Sequence, residues 1–439
     1  MSLGYDIKPV ERGQRVFGFL DMFNIWFGAG ISIAEFWAGA ILISVLGLNV
    51  PSAILAIVIG HFIGNALLSL IGLMGEESGV PTMVLTRKSL GRKGSYMASA
   101  MNYIQLIGWT AVMLIVAALA SNHVVSELSN NPVDLKWLFI VVIGLAVIWW
   151  SIIGPERWRL IEKISVIALA IVVAWLTILM FMNHDIIGLF KEPLILDHRF
   201  WLGLDLVIAM PVSWAPLIAD YTRFAKRPRD AFWGSYVGYF ISSTLFYVLG
   251  ALSNAMANLM DPVSIIATYG LGIPAMLLII LSTTTTTFLD VYSAGISVKN
   301  ILVDIDARRQ IIYAGIAGIL LGVFFPVEKY EWFLLMIGGA FTSLIGVMIG
   351  DYVVSRNEYM EWRDGSIPGF RKLNVAVWLI GFAMYISLAG SSLIPGLEIP
   401  VFTQIGSSLG STIVTLLFTM LTTLIHSIIY SKKQRGNRQ

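Results

Sequence analysis

Apolar runs long enough to cross a bilayer as a helix, about 17 residues or more, recur twelve times along the chain. They lie at 19–46, 50–74, 97–121, 135–153, 160–183, 201–221, 231–258, 273–299, 310–326, 330–353, 372–395 and 402–431. The polar stretches between them are short, the longest being 75–96, 184–200 and 354–371. The pattern predicts an all-α polytopic membrane protein of 12 transmembrane helices with no appended soluble domain. Its first run spans about 28 residues, too long for the apolar core of a signal peptide, and is expected to be retained. Lys and Arg test the count. Of 29, 25 fall in the N-terminal segment 1–18, in the even-numbered loops or in the basic tail 432–439. Only Lys136, Lys191, Arg199 and Lys329 lie elsewhere. Positive charge favours the cytoplasmic side, so both termini are predicted to be cytoplasmic, in an inner or plasma membrane. The basic loops read as solvated topology anchors, with 75–96 turning over that surface.

Two spans are interrupted. The first contains Phe27-Gly-Ala-Gly-Ile-Ser-Ile-Ala-Glu35. Each glycine weakens a helix by about 1 kcal/mol relative to alanine, and an ionisable side chain at that depth is a functional-site hypothesis. Close helix packing and a paired acid are the alternative. The sixth span carries Pro211 and Pro216 around Ser213. Each proline removes a backbone donor, which predicts a kinked or unwound helix there. The two interruptions lie five spans apart, an odd offset that gives the two halves opposite orientations. That is the mark of a five-plus-five inverted repeat with a site between two broken helices. The repeats are predicted at 19–183 and 201–353, with accessory helices at 372–431.

Composition adds little against this. Charged residues make up 13% and mean hydropathy is +0.79. There is no cysteine, and the five histidines are scattered without metal-ligand spacing. Neither a Ser/His/Asp set nor a phosphate-cradling glycine loop appears, so no enzymatic activity is expected. No filter motif of a channel repeats, and a net charge of +2 calls for no nucleic-acid partner.

Polar residues inside the spans are the remaining signal. Span eight reads Leu281-Ser-Thr-Thr-Thr-Thr-Thr-Phe-Leu-Asp290. Its threonines either bond back to their own helix or offer hydroxyls to a small hard cation beside carbonyls freed from a broken helix. Asp220 sits beside Arg223, where a local pair is expected, and Asp21, Asp205 and Asp351 lie near span ends. Glu35 and Asp290 have no such explanation. An isolated buried charge must pair, protonate or meet a ligand, and no Lys or Arg lies deep in any span. In span three, Asn102, Gln105 and Trp109 share one helix face, suited to stacking on a flat heterocycle and reading its edge. An interhelical hydrogen bond and an interior aromatic are the alternative, and Trp109 taken alone fits either.

Three blocks carry a family resemblance: Gly79-Val-Pro81 with Arg87-Lys-Ser-Leu-Gly91, Gln105-Leu-Ile-Gly-Trp109, and Ala219-Asp-Tyr-Thr-Arg-Phe224. With twelve spans, the chain resembles the nucleobase–cation symporter-1 family. The resemblance implies a LeuT-like five-plus-five inverted repeat, with broken helices 1 and 6 and two accessory helices, working by alternating access. It implies a sodium site from carbonyls at Gly28, Ile31, Ser32 and Leu281 and hydroxyls of Thr284, Thr285 and Thr286. It matches Trp109 to the family's base-stacking tryptophan, with Gln105 beside it, and Asp290 to a polar residue on helix eight. The family's aromatic lid on helix six falls near Pro211, a departure. Trp214 is the candidate replacement, and Ser213 a reader of the ring edge.

The expected function is sodium-coupled import of a nucleobase or related aminopyrimidine, such as cytosine or the hydroxymethylpyrimidine precursor of thiamine. The alternatives are a proton-coupled symporter of a purine or other heterocycle using Glu35 and Asp290, and, more distantly, a channel. The expected partners are a small heterocycle and the lipid bilayer, with the protein a monomer or weak homo-oligomer.

Overall fold

The computed structural model describes residues 4–183, 186–257, 272–324, 330–392 and 394–436. Residue 258, Pro326, Lys329 and Arg438 therefore lie outside the described residues. Among those described, the regular secondary structure is helical apart from one isolated bridge, Phe17 with Ala225. In chain order the α-helices are α1 Phe19–Gly30, α2 Ile33–Ser44, α3 Val50–Ser78, α4 Thr82–Leu90, α5 Arg92–Ser129 and α6 Lys136–Ile152. They continue with α7 Pro155–Asn183, the one-turn α8 Ile186–Leu189, α9 His198–Thr222, α10 Pro228–Ala257 and α11 Gly272–Ile301. The last are α12 Ala307–Phe324, α13 Tyr330–Met360, α14 Lys372–Ala389, α15 Pro400–Leu409 and α16 Thr412–Gly436.

Among the described residues, eight helices are each long and apolar enough to cross a membrane, and the bent pair α1–α2 makes a ninth. Helices α6, α7 and α11, of 17, 29 and 30 residues, occupy the other three predicted spans.

Helix pairings come in twins. Span one packs on span seven (α1 and α2 on α10), and span two on span six (α3 on α9). Spans three and nine pair (α5 with α12), as do eight and four (α11 with α6). Span five meets span one (α7 on α1), and span ten meets span six (α13 on α9). Exchanging each span with the one five places away (one with six, two with seven, three with eight, four with nine, five with ten) converts the first member of each twin into the second, as an inverted repeat requires. Spans eleven and twelve (α14 and α16) pack on α13, outside this scheme.

Four expectations need correction. The sixth span is not broken: α9 runs continuously through Pro211 and Pro216. Only two donors are lost, and α3 braces the helix with glycines that admit its bulk. A side chain on Gly64 would meet the Pro211 ring at 2.9 Å, and one on Gly60 would meet Val207 at 2.6 Å. The twelfth span begins at Thr412 rather than 402, because α15 stops at Gly410, whose φ of 81° is left-handed. Asp205 of α9 caps the new start, accepting from the backbone N–H of Thr412 (3.2 Å) and Ile413 (2.7 Å).

The basic loops are not all solvated. Helix α4 is buried along its whole length, and the 354–371 segment folds over it. Arg87 donates to Asn300 Oδ1 (2.7 Å) and Asp364 (2.8 Å), and Lys88 lies over the Trp362 ring. Finally, Asp220 and Arg223 form no side-chain pair. Asp220 accepts from the Thr82 N–H at 2.8 Å. Arg223 donates to the carbonyls of Asp6 (2.6 Å) and Gly4 (3.0 Å) and to the Tyr292 hydroxyl (2.9 Å).

Candidate functional site

Helices α1 and α2 meet at an angle of 54°. The break falls at Ile31 (φ −88°, ψ 83°) and Ser32 (φ −138°, ψ 155°). Its cause is local. Ser32 restarts the helix as an N-cap, its hydroxyl accepting from the Glu35 N–H at 3.3 Å. Gly30 lets α10 approach, since a side chain there would lie 2.9 Å from the Ser243 nitrogen. Among the described residues the carbonyls of Ala29, Gly30 and Ile31 receive no backbone hydrogen bond. The Ser32 carbonyl accepts from Phe36 (3.2 Å) and the Gly28 carbonyl from Ile31 (3.3 Å), so of the expected carbonyl ligands on this helix only that of Ile31 is wholly free.

Beside the break lies a narrow cavity. Four spans line it: Ser32 and Glu35 from α2 and its cap, Gln105 and Trp109 from α5, Ser213 and Trp214 from α9, and Thr286 and Asp290 from α11. Apolar Ala34, Leu106, Met113, Met210 and Leu217 complete the wall. Every residue expected to touch a heterocycle is here except Asn102, which stands behind Gln105.

Asn102 sets the polarity of the wall. The Ser297 hydroxyl donates to the Ser293 carbonyl (2.8 Å), so its oxygen accepts from Asn102 Nδ2 (2.8 Å). Asn102 Oδ1 then accepts from Gln105 Nε2 (2.6 Å). The Gln105 amide is thereby oriented, and its buried Oε1 has no donor. Asp290 is 3% exposed, and among the described residues its carboxylate has no hydrogen-bonding partner. Among the described residues, one cavity thus carries two acceptors lacking donors and is lined as well by the indoles of Trp109 and Trp214. The Ser213 hydroxyl is committed to the Met210 carbonyl (2.7 Å) but keeps its lone pairs.

Glu35 is differently placed. It is 1% exposed, and its two oxygens accept from the hydroxyls of Tyr239 and Ser243 on α10, the latter at 2.8 Å. The Ser243 oxygen lies 2.5 Å from His61 Nε2 on α3. Glu35 therefore heads a buried polar chain across spans one, seven and two. None of Tyr239, Ser243 and His61 was singled out by the sequence: His61 and Tyr239 sit in apolar runs, and Ser243 is one of the small polar trio Ser242-Ser-Thr244.

The residues expected to hold a cation fall into two groups. Ile31 and Leu281 share one apolar cluster with Leu169 and Val173 of α7, and Gly28 faces Thr285. Thr284, Thr285 and Thr286 all donate back to their own helix, to the carbonyls of Ile280 (2.6 Å), Ser282 (2.8 Å) and Ser282 (2.8 Å). Their lone pairs stay open, so the donor set is all oxygen, as a small hard cation prefers. Ser32 and Thr286, by contrast, face the cavity.

The profile of the family described as "Permease for cytosine/purines, uracil, thiamine, allantoin" matches residues 9–409. A cytosine permease of Escherichia coli (strain K12) is 25% identical over 404 residues, 91% of each chain. Among solved structures, Mhp1, described as a nucleobase-cation-symport-1 family transporter in a closed conformation with bromovinylhydantoin bound, superposes with a TM-score of 0.77. It is 17% identical, covering 99% of this chain and 96% of its own. A Na+-coupled sialic acid symporter in an outward-open state gives 0.65 at 12% identity, over 94% and 91%.

Proposed function

The chain belongs to the permease family for cytosine and purines, uracil, thiamine and allantoin, and on that footing we propose that it imports an aminopyrimidine or related nucleobase together with sodium. It is a multi-pass membrane transporter of the nucleobase–cation symporter-1 kind. In our reading the heterocycle lies between Trp109 and Trp214. Asp290 takes its exocyclic amine and neighbouring ring N–H, and Gln105 Oε1 takes a further donor. The single observation that carries this is the meeting, on one aromatic-walled cavity, of Gln105 Oε1, buried without a donor, and the buried Asp290, to which no described residue donates. Leaving such groups unmatched is costly, so the fitting ligand is flat and rich in donors. Glu35 has its acceptor sites engaged by α10 and serves chiefly to brace the break.

Sodium fits the oxygen donors at the break, and a structural neighbour is named as Na+-coupled. Transport would follow from rocking the paired spans one, two, six and seven against three, four, eight and nine, with both termini cytoplasmic. A proton-coupled version has one observation in its favour, the chain from Glu35 through Ser243 to His61.

A thermal-shift screen of purified protein against nucleobases and thiamine precursors, with sodium or choline chloride, tests the proposal. Linkage raises the melting temperature for any ligand that binds only the folded state. An aminopyrimidine that stabilises more in sodium than in choline is the expected result. Stabilisation only by heterocycles lacking an amine, or equal in both salts, would overturn it.

A further inference from the structure

A buried acid on α7 has no place in the reading above. Glu162 is 1% exposed, and among the described residues neither carboxylate oxygen has a hydrogen-bond partner. Its sequence neighbours Arg159 and Lys163 point outward. Glu162 lies instead on the inner face with Trp158, Ser165, Val166 and Leu169, all buried. That face packs on α1 and α11.

Its position is defined by Gly28. A side-chain carbon built on Gly28 would lie 3.0 Å from Glu162 Oε2 and 3.7 Å from Thr285 Cβ. A carboxylate, the last turn of α1 and the Thr285 side chain therefore converge within one side chain's reach. The carbonyls of Ala29, Gly30 and Ile31 follow immediately along the chain. Glycine at 28 leaves open the space that any larger residue would fill. An unpartnered carboxylate in a dry interior calls for a positive charge. Among the described residues no Lys, Arg or His supplies one to Glu162.

We propose that Glu162 is a direct ligand of the coupling cation, completing with the freed carbonyls of α1 and the Thr285 hydroxyl a site for sodium. The assignment rests on the sodium-coupled reading and extends it. The carboxylate offers the cation a ligand of opposite charge, and span five, which has no contact with the heterocycle cavity, becomes part of coupling. A carboxylate gives the site a stronger hold on a monovalent ion than neutral oxygens give. When the ion departs, the carboxyl must take up a proton or be reached by water.

The test is sodium titration of purified protein at constant ionic strength with choline, read as the melting temperature. Wild type, E162Q, E162D and T285A are compared. E162Q should raise the sodium midpoint at least tenfold while keeping a melting temperature in choline at or above wild type, because it removes an unpaired buried charge. E162D, which keeps the charge one methylene shorter, should fall between. If E162Q does not fold, E162D carries the test, with at least a threefold rise expected. A sodium midpoint within twofold of wild type in E162Q, or in E162D where that variant carries the test, overturns the assignment. If T285A then shifts its midpoint, the sodium site itself survives. A wild type that sodium does not stabilise overturns both the assignment and the sodium-coupled reading.

Discussion

Asp290 is the residue on which substrate recognition should turn. A hydrogen bond to a charged acceptor contributes about 1.5–3 kcal/mol. Asp290→Asn should therefore weaken binding of an amine-bearing heterocycle between about tenfold and a hundredfold, as seen by calorimetry. Folding should be spared, since no protein group loses a partner. Asn102→Ala should act from behind the wall. It frees Gln105 to turn its amide and leaves the Ser297 hydroxyl and the Pro216 carbonyl (3.4 Å from Nδ2) without their donor. Both melting temperature and substrate affinity should fall, whereas a residue that only touched substrate would change affinity alone. The sequence made Trp109, Gln105 and Asp290 legible as cavity residues, because a polar residue deep in an apolar run has few explanations, whereas it read Thr286, which lines the cavity, as a cation ligand. It hid Glu162, which sits among Arg157, Arg159 and Lys163 and reads as part of a basic loop. Helical periodicity from Trp158 to Leu169 was the available signal. Arg87 and Arg223 misled in the opposite direction, being charges at span ends that fold inward onto carbonyls and an amide.

At the scale of the element, the first span was readable and the sixth was not. Glycine pairs and a capping serine act on their own helix, so Gly28, Gly30 and Ser32 announce the break locally. Whether prolines break a helix depends on what lies against it. The row of small residues on α3 that packs along the unbroken α9 lies far away in sequence. Two substitutions probe the break. Ser32→Ala removes the cap and should destabilise the start of α2 by about 1 kcal/mol, lowering the melting temperature modestly. Gly30→Ala forces a methyl against Ser243 and should do more, about 1–3 kcal/mol of overpacking. Gly365→Ala, with nothing within 4 Å, should be silent in the same assay.

For the whole molecule, the twelve-span count and the pairing of halves were legible, because bilayer thickness and charge bias act uniformly along a chain. The bonding that closes one end of the bundle was not. There Arg15 meets Glu76 at 2.6 Å with both side chains buried, and the Val10 N–H donates to the Gly79 carbonyl at 2.9 Å. Breaking a buried pair from one side costs about 3–5 kcal/mol. Glu76→Gln should thus favour conformations open at that end. The chain contains no cysteine, so L217C on the cavity wall can be labelled alone, and it should react faster when Glu76 is also replaced. The twin pairings carry one more consequence, for the order in which the protein is made. Span one finds its main neighbour in α10, which ends at Ala257, and the hydroxyls that hold Glu35 belong to that same helix. As the chain leaves the ribosome, its first membrane helix must therefore wait, with its glycine face uncovered and its acid unmatched, until more than half the protein has been synthesised.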